Sequence, residues 1–186
     1  AWTDGGSNCF AQTCDDGDGD GIPDPCDTAG DDHTLAWINQ QGGLFHDPTN
    51  WDLQKVPNDE DKAIFDLDAE YQVSFDADAT IASMKVTSGN PIFNLADFEL
   101  NVIYGTDPLT VGESFDDNAT LIIDGGDVKC SSVILGQFSG SDGSLVLRNG
   151  GELKVEDSAD IEIGRLGNGQ LRVQEGSFID VTGSSY

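Results

Sequence analysis

The chain has little positive charge. Its 186 residues carry 8 Lys and Arg against 35 Asp and Glu, a formal net charge of −27 at pH 7. Such a surface repels phosphate backbones and anionic lipid headgroups, which removes nucleic acid from the partner classes and argues against membrane docking by charge. No apolar run approaches the ~18–20 residues that a membrane-spanning helix requires. Histidine is almost absent: only His33 and His46 occur, both ahead of the repeats described below. No zinc-ligand spacing, Ser/His/Asp set or phosphate-binding glycine loop accompanies them, so no enzymatic activity is expected. The residues on offer are 37% hydrophobic, with 23 Gly, which is not a disordered composition.

The chain starts at Ala1 without a basic, apolar leader, as expected where a segment ending in a small residue has been removed or trimmed. Of four cysteines, Cys9, Cys14 and Cys26 crowd into a Gly/Asp-rich stretch. That density points to an oxidising, extracellular compartment and a secreted protein. One bridge is expected within the first thirty residues, but four cysteines allow three complete pairings and spacing does not choose among them. Cys130 falls at an inward strand position and is expected to be a buried free thiol.

Residues 1–32 form an acidic arm. Within it, Asp16-Gly-Asp18-Gly-Asp20-Gly-Ile22-Pro-Asp24-Pro-Cys-Asp27 places carboxylates at positions 1, 3, 5, 9 and 12 of a twelve-residue calcium loop. Gly21 sits where the loop turns sharply, and Ile22 sits where a backbone carbonyl is the ligand. Ca²⁺ takes six to eight oxygens at ~2.4 Å, and without a cation five carboxylates so close together would repel one another. The last ligand departs from the usual bidentate Glu, since Asp27 is shorter. Pro23 and Pro25 forbid flanking helices, which separates the motif from a paired EF-hand. The fourteen or so residues resemble a thrombospondin type 3 repeat, whose D-x-D-x-D-G-x-x-D core is followed by a cysteine, here Cys26. The resemblance implies a structural, extracellular calcium site.

Residues 33–75 form an opening, capping segment, with Trp37, Phe45, Trp51 and Phe65 spaced too irregularly for a helix. A strand–loop–strand that covers one end of the core is expected. A second reading has Trp37 or Trp51 exposed and stacking on a sugar ring. The string W-x5-G-x-F-x-D-x-x-N-W…P…D-x-A-x-F resembles the start of secreted bacterial repeat proteins.

Internal repetition over residues 82–182 decides the fold. One strand type recurs as Met84-Lys85-Val86, Leu109-Thr110-Val111, Val133-Ile134-Leu135 and Ile161-Glu162-Ile163, with a glycine after all but the first. A second recurs as Phe93-Asn94-Leu95, Leu121-Ile122-Ile123, Leu145-Val146-Leu147 and Leu171-Arg172-Val173. A third recurs as Leu100-Asn101-Val102, Val128-Lys129-Cys130, Leu153-Lys154-Val155 and Ile179-Asp180-Val181. Period-2 alternation points two side chains of each triplet inward, and turns such as Asp124-Gly-Gly-Asp127 and Asn149-Gly-Gly-Glu152 supply the corners. Three strands and three corners in each ~25 residues predict an all-β, parallel β-solenoid of about four coils, roughly 19 Å tall. Leu109, Val133 and Ile161 are expected to stack in one core column, and Lys129 and Lys154 in one outer column. The alternative is an antiparallel β-sandwich or jelly roll. Residues 105–182 resemble β-solenoid repeats of secreted bacterial surface proteins and autotransporter passengers.

Asn118-Ala119-Thr120 is the one N-x-S/T sequon, with Asp116 two residues upstream, in a loop expected to be exposed. After Val181 only five small, mostly polar residues follow, too few to cap a solenoid end. More chain or another molecule is therefore expected over that end. The reading that joins these features is an extracellular structural subunit that assembles head to tail into a calcium-stabilised surface filament. Its alternatives are a module of a larger secreted adhesin or cell-surface protein, and a glycan-binding β-helix.

Overall fold

The computed structural model describes residues 33–103 and 109–183. Thirteen strands pair in parallel, and no α-helix occurs among the described residues. Because the strands bond only to their equivalents on neighbouring coils, the sheet winds around the core as a β-solenoid. The antiparallel sandwich is thereby excluded.

An incomplete first layer consists of β1 (Thr34–Ala36), β2 (Gly43–Leu44) and a short 3-10 turn at Pro48–Asn50. Five coils follow. The first contains β3 (Lys62–Phe65), β4 (Glu70–Ser74) and β5 (Ala79–Ile81), and the second contains β6 (Ser83–Val86) and the long β7 (Ser88–Val102). β8 (Leu109–Val111) opens the third coil. β9 (Asn118–Leu135) completes it and turns the corner into the fourth. β10 (Asp142–Arg148) and β11 (Glu152–Ile163) run on into the fifth, which β12 (Asn168–Val173) and β13 (Phe178–Gly183) complete.

Five coils rather than four follow from residues 62–81. Their triplets Ala63-Ile64-Phe65, Tyr71-Gln72-Val73 and Ala79-Thr80-Ile81 pair in register with the second coil. Two of the three start on Ala, and none is followed by the glycine that marks the later coils, so their likeness to the repeat is hidden. The expected segment 33–75 thus divides between the first layer and the first coil.

The predicted columns are present on two faces. Leu109 pairs with Val133 and Val133 with Ile161. Leu100, Val128, Leu153 and Ile179 stack likewise. On the remaining face the early member is displaced by two residues: Ile123 pairs with Phe93, not Leu95, and Ile122 with Ile92. A bulge at Ala96, where φ is +53°, takes up the two extra residues of that coil before register resumes at Glu99.

Inward side chains are fully buried through the middle coils, from Phe65 and Phe93 to Leu121, Leu145 and Val155. Each contributes about 1.5–3 kcal/mol of apolar burial. The glycines after the first strand type have a steric cause. Gly112, Gly136 and Gly164 all have φ +69°, and a Cβ on Gly136 would lie 2.2 Å from the Asn168 carbonyl oxygen of the next coil. On the outside, Thr110 and Ile134 are also buried although they occupy outward positions.

Outward charges pair between coils. Lys129 and Lys154 stack as expected. Lys154 bonds Asp127 at 2.7 Å and Glu152 at 3.4 Å, while Lys129 takes Glu156 at 2.8 Å. The hydrogen bond to Asp127 raises the Lys154 pKa, and that to Glu156 raises the Lys129 pKa. Arg148 donates through Nε and Nη2 to Asp124 Oδ2 of the coil below.

Candidate functional site

The first layer and the last described coil differ. At the first layer, Trp37 meets Trp51 edge-on with ring centroids 5.3 Å apart. Phe45 stacks on Phe75 at 4.7 Å and meets Trp51 at 5.2 Å. The indole N–H groups donate to Phe45 O (from Trp51, 2.9 Å) and Asn39 O (from Trp37, 2.8 Å). Both tryptophans are completely buried. Neither presents a face to a sugar, which removes the expectation of stacking on them and leaves them the work of closing the core.

The outer edge of β1 is occupied as well. Asp52 N donates to Ala36 O at 3.0 Å, Ala36 N donates to Asp52 Oδ1 at 3.0 Å, and Ile38 N donates to Asn50 O at 2.9 Å. Trp37 and Trp51 form the antiparallel bridge of this crossing. Residues 50–52 thus run backwards over the first strand and use the backbone groups that another strand would need. Buried Asp61 fastens the layer: its Oδ1 accepts from His33 N and Lys55 Nζ, both at 3.0 Å, and its Oδ2 from Asn58 N at 2.9 Å. The other histidine, His46, pairs through Nδ1 with Asp76 at 2.7 Å and meets Phe45 and Phe75 edge-on.

The last coil is different. Ile163, Val173 and Val181 continue the inward columns of Leu135, Leu147 and Val155. Those three predecessors are 0% exposed, whereas Ile163, Val173 and Val181 are 50%, 45% and 50% exposed. β12 pairs on one side with β10 and β13 on one side with β11. Among the described residues nothing lies over this coil, so it presents unpaired strand edges and the apolar cross-section of the core.

The calcium-loop residues Asp16, Asp18, Asp20, Ile22, Asp24 and Asp27 lie outside the described residues, as do Cys9, Cys14 and Cys26. Among the described residues no group of three or more His, Cys, Asp or Glu is arranged to hold a metal ion. Asn118 is exposed, as expected, but it is the first residue of β9 rather than part of a loop, paired with Ser88 and Asp142 on the neighbouring coils. Cys130 is a buried free thiol whose pKa burial pushes up to about 12. Among the described residues no helix is long and apolar enough to cross a membrane.

Sequence reasoning missed the backward crossing at 50–52, for which the only signal is Asn50-Trp51-Asp52 after Pro48. It also missed the exposed corner aromatics Phe115 and Phe138, which lie outside the strand triplets. No protein family matches the chain, nor does any curated protein or solved structure.

Proposed function

We propose that the protein is an extracellular structural subunit that lengthens end-on by strand addition to its last coil. The observation that supports this is the contrast between the sealed first layer and the open fifth coil. Backbone pairing along β12 and β13 supplies affinity, and burial of Ile163, Val173 and Val181 supplies the driving force. In the assembled form a second copy provides the covering segment, head to tail, and such non-closing contacts build filaments.

Because the edge of β1 is already used, the covering strand comes from the acidic arm, residues 1–32, rather than from blunt stacking of the first layer. An arm of that length reaches ~100 Å when extended, several times the height of the solenoid. Calcium bound by Asp16, Asp18, Asp20, Ile22, Asp24 and Asp27 holds the arm against its own repulsion. A glycan on Asn118, exposed at the start of β9, would project from the side of the rod. A second reading rests on the same open coil: in a module of a larger secreted adhesin, further coils of the same polypeptide cover it.

The test is negative-stain electron microscopy of the purified chain with calcium and with excess EGTA, beside a Val173→Lys/Val181→Lys variant. Filaments that disappear in EGTA and in the variant support the subunit reading. Monomers throughout reject self-assembly and leave the module.

A further inference from the structure

A second surface lies at the corner between the first and second strands of the third and fourth coils, beside the fifth-coil loop that carries exposed Leu166. Phe115 is 71% exposed and Phe138 48% exposed. They project from consecutive corner loops, residues 112–117 and 136–141, which are bonded to one another. Phe138 N donates to Glu113 O at 3.1 Å, Gln137 N to Gly112 O at 2.9 Å, and Asp116 N to Gly140 O at 3.3 Å. Each loop is also closed from within. Asp117 Oδ2 accepts from Glu113 N and Ser114 N at 3.0 and 2.7 Å, and Ser141 Oγ donates to Phe138 O at 2.7 Å.

The Phe115 ring lies directly over Gly140, where a Cβ would come within 2.4 Å of its Cδ2 atom. The ring is thus held against a flat backbone and still faces solvent. A large apolar side chain fixed in that state is pre-organised to meet something.

Charge identifies the partner. Asp116 is exposed beside Phe115 and has φ +68°; its backbone N–H is bonded to Gly140 O, but its carboxylate has no hydrogen-bond or ion-pair partner among the described residues. The whole chain carries −27. Six of its eight cations, Lys55, Lys85, Lys129, Arg148, Lys154 and Arg165, are already in ion pairs. A second copy therefore has few cations to offer this corner and much repulsion to overcome. A cation with an apolar stem fits, because its charge meets the ring face and the free carboxylate together. We infer that the Phe115–Phe138 corner is a docking surface for a lysine- or arginine-bearing segment of another protein. This surface shares no residue with the proposed assembly end, so it stands or falls separately.

The test uses the full chain and a fluorescein-labelled decapeptide of alternating Gly and Arg, with anisotropy read at 0.15 M NaCl. Phe115→Ala weakens binding about two- to fivefold, the range of one exposed cation–ring contact. Phe115→Ala/Phe138→Ala together weaken it by about tenfold. Asp116→Asn weakens it about threefold, while Glu175→Gln, an exposed acid elsewhere, leaves it unchanged. Equal losses from Asp116→Asn and Glu175→Gln, with none from Phe115→Ala, would mean non-specific attraction and would overturn the proposal. So would displacement of the peptide by cellohexaose, which would make the corner a glycan surface. A change in sedimentation coefficient between wild type and Phe115→Ala would assign it instead to a second copy.

Discussion

Trp37 and Trp51 are joined twice. Their rings meet at 90° with centroids 5.3 Å apart, and their backbones form the antiparallel bridge that closes the edge of β1. One pair of residues thus fills the core at the first layer and blocks strand addition there. Trp51→Ala is expected to cost about 3–5 kcal/mol, as for other buried aromatic truncations. Equilibrium denaturation measures this, and a loss under 1 kcal/mol would mean the layer is not part of the cooperative core.

Tyr71 predicts the opposite sign. It is 3% exposed, parallel to Trp37, and its hydroxyl has no hydrogen-bond partner among the described residues. Burial, with Asp66 adding to it, raises its pKa. A buried hydroxyl without a partner carries its desolvation cost uncompensated. Tyr71→Phe should leave the denaturation midpoint unchanged or raise it, and a drop of more than 1 kcal/mol would reveal a partner for the hydroxyl.

Two glycines separate conformational strain from collision. Gly136 has φ +69° and no room for a Cβ, whereas Gly150 has φ +80° and nothing within 4 Å of where a Cβ would stand. Gly150→Ala is expected to cost about 1 kcal/mol from backbone conformation alone. Gly136→Ala should cost at least twice as much, because the Asn168 strand must move. Equal effects in thermal melts would show that the coils are not packed so closely.

Cys130 gives a pH prediction. Burial raises its thiol pKa from 9.0 to about 12. At pH 8 the native thiolate fraction is then about a thousandfold below that of an ordinary thiol. Peptide mapping after iodoacetamide treatment should find Cys130 unmodified in the native protein and labelled in urea. The sign of the linkage follows: the unfolded chain ionises first, so the contribution of Cys130 to stability is complete below pH 9 and is lost as pH rises toward 12. Stability that increases across that window would contradict a buried thiol.

Much of this architecture was legible from side-chain periodicity, and the failures have local causes. Leu109, Val133 and Ile161 could be aligned because a glycine with an obligatory positive φ follows each strand and fixes the frame. Phe93 could not be aligned correctly, because Ala96 adopts a left-handed conformation without the glycine that would announce it. The coil at residues 62–81 was hidden because Ala63 and Ala79 occupy places held elsewhere by Met, Leu, Val or Ile. At the first layer, burial of Trp37 and Trp51 depends on a chain reversal at Pro48–Asn50 that no repeat encodes. The open fifth coil was expected, whereas the Phe115 corner was not, since a corner side chain enters neither period.

The sealed first layer also makes the rod mechanically directional. Among the described residues β12 and β13 bond on one side only, so load applied to them is expected to peel coils away one at a time at low force. Load applied at the first layer meets the Asp61 fastening, the backward crossing and the paired indoles at once, and should be resisted until a single abrupt rupture.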